Sequence, residues 1–256
     1  MKEDDSNPFA SAILFQLLIT ILTGIFAISK GMNIPPLNLI GYFAISTVFY
    51  GLGTLSYFNA IKLIEASEST ILASIGSIVT VISAYIFLGE RLNQTQFTGV
   101  IFILFSVILI AFKKNMSFNR GTLFSILGTT FYGLAVTNDV YILRSYDAIS
   151  YVPIMSLLPG LFLMAIKPSA VKTMISSFYM PSIKPLLLYC VFYSIQAITY
   201  YAALEHGALA SQMTMLYKTE IFLTVLLAAI FLHETDNLPR KMISTTLAFI
   251  GVYFLI

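Results

Sequence analysis

Six polar side chains lie inside otherwise apolar stretches of this sequence, and each is of a type that could hold a proton or bind a ligand. They are Asn59, Asn138, Asp139, Gln196, Lys218 and Glu220. A charged side chain inside an apolar segment is energetically expensive, so such residues are candidates for function by default. A carboxyl group there can exchange a proton, an ammonium group can bind an anionic substrate, and an amide can contact a substrate through hydrogen bonds.

Each of these candidates also has a structural interpretation. Lys218 could form a buried pair with Asp139 or another acid, Glu220 could pair in the same way, and Asp139 could simply end a helix near the membrane surface. Lys218 and Glu220 are two positions apart, so on a helix they point about 200° away from each other and do not form a ready-made ion pair. The amides could form hydrogen bonds between helices.

Two further sets of side chains could be candidates for the same roles. Glu68 lies at the start of an apolar stretch, which is typical of an exposed acid that stabilises the first turn of a helix. Four tyrosines either line a cavity and stack on a substrate or serve as packing residues: Tyr193, Tyr200, Tyr201 and Tyr217.

The elements that position these residues follow from composition. The chain is 58% hydrophobic and 10% charged over 256 residues, which excludes a soluble domain and indicates an all-α polytopic membrane protein. The apolar runs are too long and continuous for the alternating strands of a barrel. About nine transmembrane helices are predicted, at 8–29, 37–61, 66–88, 96–112, 121–143, 148–166, 185–204, 207–232 and 242–256.

The basic residues of the connecting segments predict an orientation. With nine spans, ten of the Lys and Arg residues lie on the side of the N-terminus and three on the other, while Lys218 lies inside a span. Positive residues accumulate on the cytoplasmic side, so the N-terminus is predicted to be cytoplasmic in a multi-pass protein of the plasma membrane. The acidic start, MKEDDSN, does not resemble a cleaved signal peptide.

One segment of the chain occurs twice. The stretch ASESTILASIGSIVTVISAYIFLGE at 66–90 aligns without a gap with ASQMTMLYKTEIFLTVLLAAIFLHE at 210–234, and eleven positions are identical. Paired Ala-Ser, two paired threonines and the paired terminal acids Glu90 and Glu234 do not follow from apolar composition alone. Five predicted crossings separate the starts of the two copies, so the second copy is inverted. Inverted repeats are typical of secondary transporters, which hold substrate at the repeat interface.

The repeated residues resemble a known family. YFNAIKLIEAS, then an apolar span, FLGERL and GVIFILFSVILI are similar to the EamA domain of the drug/metabolite transporter superfamily, and YYAALEHGALAS through IFLHE and GVYFLI resemble it again. The resemblance implies two EamA-like repeats of four and five helices, at 1–115 and 116–256. Glu90 and Glu234 then mark the ends of corresponding helices.

This sequence departs from the family pattern at two places. Family members usually have ten helices, whereas SNPFASAILFQ resembles the start of the second helix, so the first helix is expected to be missing. The family often carries a proline midway along the helix that ends in the glutamate. Gly76 and Ser77 occupy that region in the first copy, where they still permit a bend, and Glu220 and Ile221 occupy it in the second.

The predicted function is therefore secondary transport of small metabolites or drugs by alternating access, in a lipid bilayer, with proton coupling and a homodimer both left open. The alternative is a non-transporting membrane remnant or scaffold. An enzyme is not expected, because no nucleophile–base pair or metal-ligand spacing is visible. No cofactor or metal is expected, and the net charge of +2 does not indicate nucleic acid binding.

Overall fold

The structure of the chain is a computed structural model that describes residues 7–89, 93–111, 119–177, 183–208, 210, 213, 217, 220–233 and 237–254. Within these residues the regular secondary structure is helical. The helices are α1 Pro8–Lys30, α2 Ile40–Leu63, α3 Ala66–Leu72, α4 Ile75–Ser83, α5 Gln94–Ala111, α6 Arg120–Leu143, α7 Ala148–Ile166, α8 Ser169–Ser177, α9 Ile183–Glu205, α10 Glu220–Phe231 and α11 Leu238–Phe254. A 3₁₀ turn, Leu37–Leu39, precedes α2, and a π-helical turn, Ala84–Leu88, follows α4.

Several helical segments are suited to crossing a bilayer. Five are long and apolar enough among the described residues: Pro8–Lys30, Leu37–Leu63, Ala66–Leu88, Ala148–Ile166 and Ile183–Glu205. Large apolar side chains on these helices stay uncovered, including Ile25 at 67% exposure and Phe192 at 64%. In a protein this apolar, such side chains face lipid. The prediction of a multi-pass helical membrane protein is confirmed, while the count of nine helices stays a prediction.

Local capping signals explain where the helices begin and end. The side chain of Asn7 accepts a hydrogen bond from the backbone N–H of Phe9 at 3.0 Å, and Pro8 occupies the first turn of α1. Gly31 ends that helix in the left-handed conformation that glycine adopts without strain, with φ of 87°. Asn93 and Gln96 form a reciprocal capping box at the start of α5, with N···O distances of 2.7 and 2.8 Å.

The chain divides into two compact units, each built from two separate stretches. The first unit comprises 1–58 and 138–208, and the second comprises 59–137 and 209–256. In the first unit, α1 packs along α7. Gly160 of α7 permits this approach, because an added Cβ there would lie 3.3 Å from Cβ of Gln16.

In the second unit, α5 packs along α11. An added Cβ at Gly251 of α11 would lie 2.8 Å from the backbone oxygen of Gly99, so the two helices are in close backbone contact. Apolar side chains of α3, α4, α5, α10 and α11 form the core of this unit, and they include Ile71, Val81, Ile103, Val225 and Val252. Burial in this core keeps the helices together where the lipid itself offers no hydrophobic driving force.

The span predicted at 66–88 is interrupted. It consists of α3, a turn at Ala73 and Ser74, α4 and the π turn. Thr129 of α6 donates a hydrogen bond from its hydroxyl to the backbone oxygen of Ala73 at 2.9 Å, which satisfies a carbonyl at the break. The interruption lies just before Gly76 and Ser77, the pair that permits a bend in this copy.

Gly133 of α6 predicts a measurable packing requirement. A Cβ at this position would lie 2.8 Å from the backbone oxygen of Gly76 and 2.9 Å from Cβ of Val79. We expect Gly133→Ala to lower the free energy of unfolding by about 1–3 kcal/mol, the usual cost of overpacking. Thermal unfolding of the detergent-purified protein measures the loss.

The matched control is Gly41→Ala in α2, where no atom lies within 4 Å of the added Cβ. This change removes a helical glycine without a clash, so it should leave the melting temperature unchanged or raise it slightly. Equal melting temperatures for both variants would contradict the close contact at Gly133.

The segment at 167–184, expected to be a long loop, contains the short helix α8. Two of its side chains, Ala170 and Met174, are buried, and α8 packs on α1. Nearby, the ammonium group of Lys167 lies 5.0 Å from the ring centre of Phe9, a cation–π distance. The helix α8 is therefore anchored to the rest of the first unit.

Candidate functional site

A fully buried carboxylate forms the centre of the candidate site, within the first unit. Asp139 lies on α6 and is 0% exposed. Its side chain accepts a hydrogen bond from the hydroxyl of Ser46 on Oδ1 at 2.8 Å and another from the hydroxyl of Tyr50 on Oδ2. A buried carboxylate is tolerated only where hydrogen bonds or a counter-charge compensate for lost water. Here the compensation comes from neutral hydroxyl groups.

A second layer of donors extends the network on both sides. The side-chain amide of Asn138 donates to the hydroxyl of Ser46 at 2.7 Å and to the backbone oxygen of Tyr42 at 2.8 Å. The hydroxyl oxygens of Tyr50 and Tyr201 lie 2.6 Å apart. A hydroxyl has one proton, and Tyr50 gives its proton to the carboxylate, so Tyr201 is the donor in this second bond. The hydrogen bonds from Asn138 through Ser46 and from Tyr201 through Tyr50 therefore both point toward Asp139.

The hydroxyl of Tyr151 lies beside the carboxylate and has no hydrogen-bond partner among the residues that the structure describes. Tyr151 of α7 is 0% exposed, and its ring lies 5.0 Å from that of Tyr201, edge to face. Its hydroxyl approaches the carboxyl of Asp139 without reaching hydrogen-bond geometry. Buried polar atoms are normally paired, so an unpaired hydroxyl at this point marks available hydrogen-bonding capacity.

The polar side chains of α2 follow one face of that helix. Ser46, Tyr50 and Thr54 are spaced by four residues, which places them one above another. The hydroxyl of Thr54 accepts a hydrogen bond from the side-chain amide of Gln16 on α1 at 2.8 Å. The first unit thus contains a line of polar groups at three successive turns of α2. Asp139 of α6 accepts hydrogen bonds from two of them, Ser46 and Tyr50. Such a line can hold a proton or a small polar ligand.

A second polar cluster closes one end of the first unit. Asp147 caps α7 by accepting from the backbone N–H of Ser150 at 2.8 Å, and it accepts from the side-chain amide of Asn33 at 2.9 Å. The hydroxyl of Tyr146 donates to the backbone oxygen of Asn33 at 2.6 Å. Burial raises the pKa of Tyr146 to about 12, so this donor keeps its proton at physiological pH. The cluster ties the α1–α2 connection to the start of α7.

Asp147 predicts a pH-dependent stability. Burial alone would raise its pKa, but the hydrogen bonds from Asn33 and Ser150 outweigh it and hold the pKa below its ordinary value. A depressed pKa means that the carboxylate stabilises the fold above its unfolded pKa of about 3.9 and that this stabilisation is lost as pH falls below it. We expect the melting temperature of the protein to drop below about pH 4, and Asp147→Asn to drop less.

Thermal unfolding in detergent at a series of pH values measures this difference. Glu205→Gln is a suitable control, because its carboxylate accepts from the backbone N–H of Ala148 at 2.9 Å and glutamine keeps an acceptor there. The assignment is contradicted if Asp147→Asn and the unaltered protein lose the same stability between pH 6 and pH 3.

The second unit contains an ion pair between a buried lysine and a half-buried glutamate. Lys241 of α11 is 1% exposed, and its ammonium group is paired with the carboxylate of Glu65, which precedes α3 and is 19% exposed. The neighbouring Arg240 donates to the backbone oxygen of Leu109. Lys241 directly precedes the predicted span at 242–256, in a connecting segment, and the pattern of charges does not indicate its burial.

The structure places the predicted candidates differently from one another. Asp139 and Asn138 belong to one network, and Asp139 is fully buried four residues before the end of α6. Its depth in the membrane stays a prediction. Gln196 is half-buried on α9, Asn59 is half-buried in the second unit, and Glu220 is half-buried at the start of α10.

Three predicted positions cannot be compared in this way. Lys218, Glu90 and Glu234 lie outside the described residues. Glu68 is in the first turn of α3 as expected, but it is 6% exposed. The prediction that Glu68 is an exposed acid is therefore wrong.

Sequence reasoning missed three members of the network: Ser46, Tyr50 and Tyr151. A usable signal existed for two of them, since the four-residue spacing of Ser46, Tyr50 and Thr54 puts three hydroxyls on one face of an apolar helix. For Tyr201, the sequence predicts only a cavity-lining or packing role. The described part of the chain contains no group of three His, Cys, Asp or Glu side chains that could hold a metal ion.

Comparisons with known proteins agree with this picture. Residues 3–112 and 119–256 match the EamA-like transporter family. An uncharacterised transporter from the cobO 3′ region of Sinorhizobium sp. is 29% identical over 110 residues, which is 41% of this chain and 77% of that protein. An uncharacterised protein of Methanocaldococcus jannaschii is 30% identical over 111 residues, 43% of this chain and 81% of that one.

A solved crystal structure shares the fold. It superposes with a TM-score of 0.66 at 15% identity, covering 98% of this chain and 89% of its own. At that identity the likeness concerns the fold alone. The two family matches span nearly the whole sequence, and the helices are apolar and of membrane-crossing length. The chain therefore belongs to the EamA-like transporter family and is a multi-pass membrane transporter.

Proposed function

We propose that the protein is a secondary transporter of small metabolites or drugs that works by alternating access, with the substrate held between two inverted repeats, 1–115 and 116–256. The observation that carries this proposal is the origin of the residues around Asp139. Ser46 and Tyr50 come from the first segment that matches the family, while Asn138, Asp139 and Tyr201 come from the second. Polar groups from both matched segments thus meet within apolar helices, which is where secondary transporters bind their substrates and ions.

The energetics of this network also support a transport role. A carboxylate inside a membrane protein costs several kcal/mol unless it is compensated. Apolar residues of similar volume would often stabilise such a helix contact equally well. Asp139 is fully buried, and the hydroxyls around it come from both matched segments. A ligand or ion that Asp139 binds during the cycle therefore explains this arrangement better than packing does.

We propose that the proton gradient drives this transport. Asp139 and Glu220 are the candidate carboxyl groups within the helices, and Lys218 is the candidate residue for binding an anionic group of the substrate.

The proposed orientation has the N-terminus in the cytoplasm, as the excess of basic residues on that side predicts. A reporter fused to the C-terminus and active only outside the cytoplasm tests this orientation. Activity from a reporter at the same position that works only in the cytoplasm would reverse the proposed orientation.

We also propose a homodimer, which is tested by the mass of the detergent-purified protein. The mass of a monomer would exclude the homodimer.

Transport is tested with purified protein in proteoliposomes. Compounds are first screened for those that raise the melting temperature, since a ligand that binds the folded state stabilises it. Each such compound is then loaded inside the vesicles, and the uptake of labelled compound against it is measured. A secondary transporter accumulates the label transiently by exchange. Label that enters protein-containing and empty vesicles equally for every stabilising compound would overturn the proposal.

A further inference from the structure

We propose that Asp139 takes up and releases the proton of the transport cycle, and that the hydroxyls of Tyr201 and Tyr50 are the path along which the proton reaches it. This inference rests on the proposed function for the role of the proton. The binding of a proton at Asp139 and its path can nevertheless be measured without any transport, so the two proposals can fail separately.

Accessibility along the network favours a proton over a larger ligand. Asp139 is 0% exposed and Tyr50 is 8% exposed, whereas Tyr201 is half-buried and is the least buried of the three. A molecule with several heavy atoms has no access to the carboxylate in this arrangement. A proton does, because it moves through hydrogen bonds and requires no open volume. The order Tyr201, Tyr50, Asp139 thus leads from the least buried side chain to the fully buried acid.

The direction of the hydrogen bonds suits transfer toward Asp139. Hydronium at the exposed side gives a proton to the oxygen of Tyr201, the proton of Tyr201 passes to Tyr50, and the proton of Tyr50 passes to Oδ2 of Asp139. Three O–H bonds break and three form, and the net change is that the carboxylate becomes neutral. The O···O distance of 2.6 Å between the two phenols is within the range for hydrogen-bonded hydroxyls, along which such a transfer proceeds.

The other side of the network cannot serve as a path. Asn138 donates through its amide to Ser46, and Ser46 donates to Oδ1 of Asp139. A side-chain amide does not release a proton at physiological pH, so this branch ends at Asn138. Its effect is to occupy Oδ1, which leaves Oδ2 as the oxygen that receives the proton.

Tyr151 completes the cycle of hydrogen bonds. Once Asp139 is protonated, the bonds through Tyr50 and Tyr201 have reversed and must turn back before the next proton arrives. The hydroxyl of Tyr151 is buried beside the carboxyl and has no hydrogen-bond partner in the described part of the chain. The O–H of Asp139 can turn to it, which frees Tyr50 to donate again. An otherwise unexplained orphan hydroxyl thus acquires a role.

The groups that face Asp139 leave the proton as its means of neutralisation. The titratable side chains around it are Tyr50 from α2, Tyr151 from α7 and Tyr201 from α9. Within the part of the chain that the structure describes, no Lys, Arg or His side chain forms an ion pair with Asp139. Neutral phenols stabilise both the charged and the protonated carboxyl by exchanging donor and acceptor roles.

Proton binding is tested by infrared difference spectroscopy of the purified protein across a pH titration. We expect acidification to produce carbonyl bands of protonated carboxyl groups, and the difference between the unaltered protein and Asp139→Asn to isolate the band of Asp139. Identical carbonyl bands in the two proteins would overturn the assignment. The band being lost in Asp139→Asn while no compound is transported would refute the proposed function and leave the proton site standing.

The path is tested by the rate at which the same band appears after a pH jump. We expect Tyr50→Phe to slow this rate by at least about tenfold, which corresponds to about 1.4 kcal/mol of added barrier. The matched control is Tyr42→Phe on the same helix, a residue 38% exposed and stacked on Tyr141. Its phenol is not part of the network, so the rate should be unchanged. Equal rates in the two variants would overturn the path.

Discussion

Replacing Asp139 by asparagine is expected to reduce transport by at least about tenfold at equal amounts of protein in the membrane. Asparagine has nearly the same volume, so the helices around it can keep their packing. It cannot carry the negative charge or bind a proton, and its NH₂ group is a donor where the network supplies only donors. The hydroxyls of Ser46 and Tyr50 both point toward this side chain, so one of them must turn away.

Initial uptake rates in proteoliposomes provide the measurement. Glu205→Gln is the matched acid-to-amide control, because Glu205 accepts from the backbone N–H of Ala148, outside the network around Asp139, and glutamine can still accept there. This control should transport at close to the normal rate. Asp139→Asn transporting as fast as Glu205→Gln would show that the acid is structural.

The largest expected loss of stability concerns Lys241, whose ammonium group is buried against Glu65. We expect Lys241→Met to lower the free energy of unfolding by about 3–5 kcal/mol, because it leaves the carboxylate of Glu65 without its counter-charge. Methionine keeps the length of the apolar side chain, so the loss reports the charge more than the packing. The melting temperature and the yield of monodisperse protein in detergent measure it.

Two variants make this prediction decisive. The double change Lys241→Met with Glu65→Leu removes both charges and should recover most of the stability, since apolar replacements of buried ion pairs are often neutral. Lys172→Met changes an exposed lysine of α8 and should have almost no effect. A double variant as unstable as the single one would indicate that Lys241 stabilises the fold through its packing or its other contacts and not through this pair.

The boundaries of many helices were predictable because the bilayer imposes a length of about 20 apolar residues. The run predicted at 8–29 corresponds to Pro8–Lys30, with Asn7 as its cap and Gly31 at its end, and the run at 148–166 corresponds to α7. The interruption at Ala73 was not predictable in its position. It depends on the hydroxyl of Thr129, a residue distant in sequence, and hydropathy contains no information on that contact.

The acid at the centre of the site was also predictable, but its partners were only partly so. An ionisable residue inside an apolar run is rare enough to attract attention. A serine or threonine in such a run is not, because its hydroxyl can bond to the backbone oxygen one turn earlier. Thr47 does so at 2.7 Å, whereas Ser46, its neighbour, bonds across to Asp139. Which of the two outcomes a hydroxyl adopts depends on the helices beside it.

The discontinuous make-up of the two compact units has a consequence for biosynthesis. The helices α1 and α2 leave the ribosome long before 138–208, the stretch that completes their unit. They therefore insert into the bilayer as separately stable helices and pack into their unit only after α7 and α9 have been synthesised and inserted. A fragment that ends near 115 would contain only part of each unit, and a fragment that begins near 116 would contain only the remaining parts. Separately expressed halves should accordingly be degraded, and joint expression of both halves should restore the folded protein.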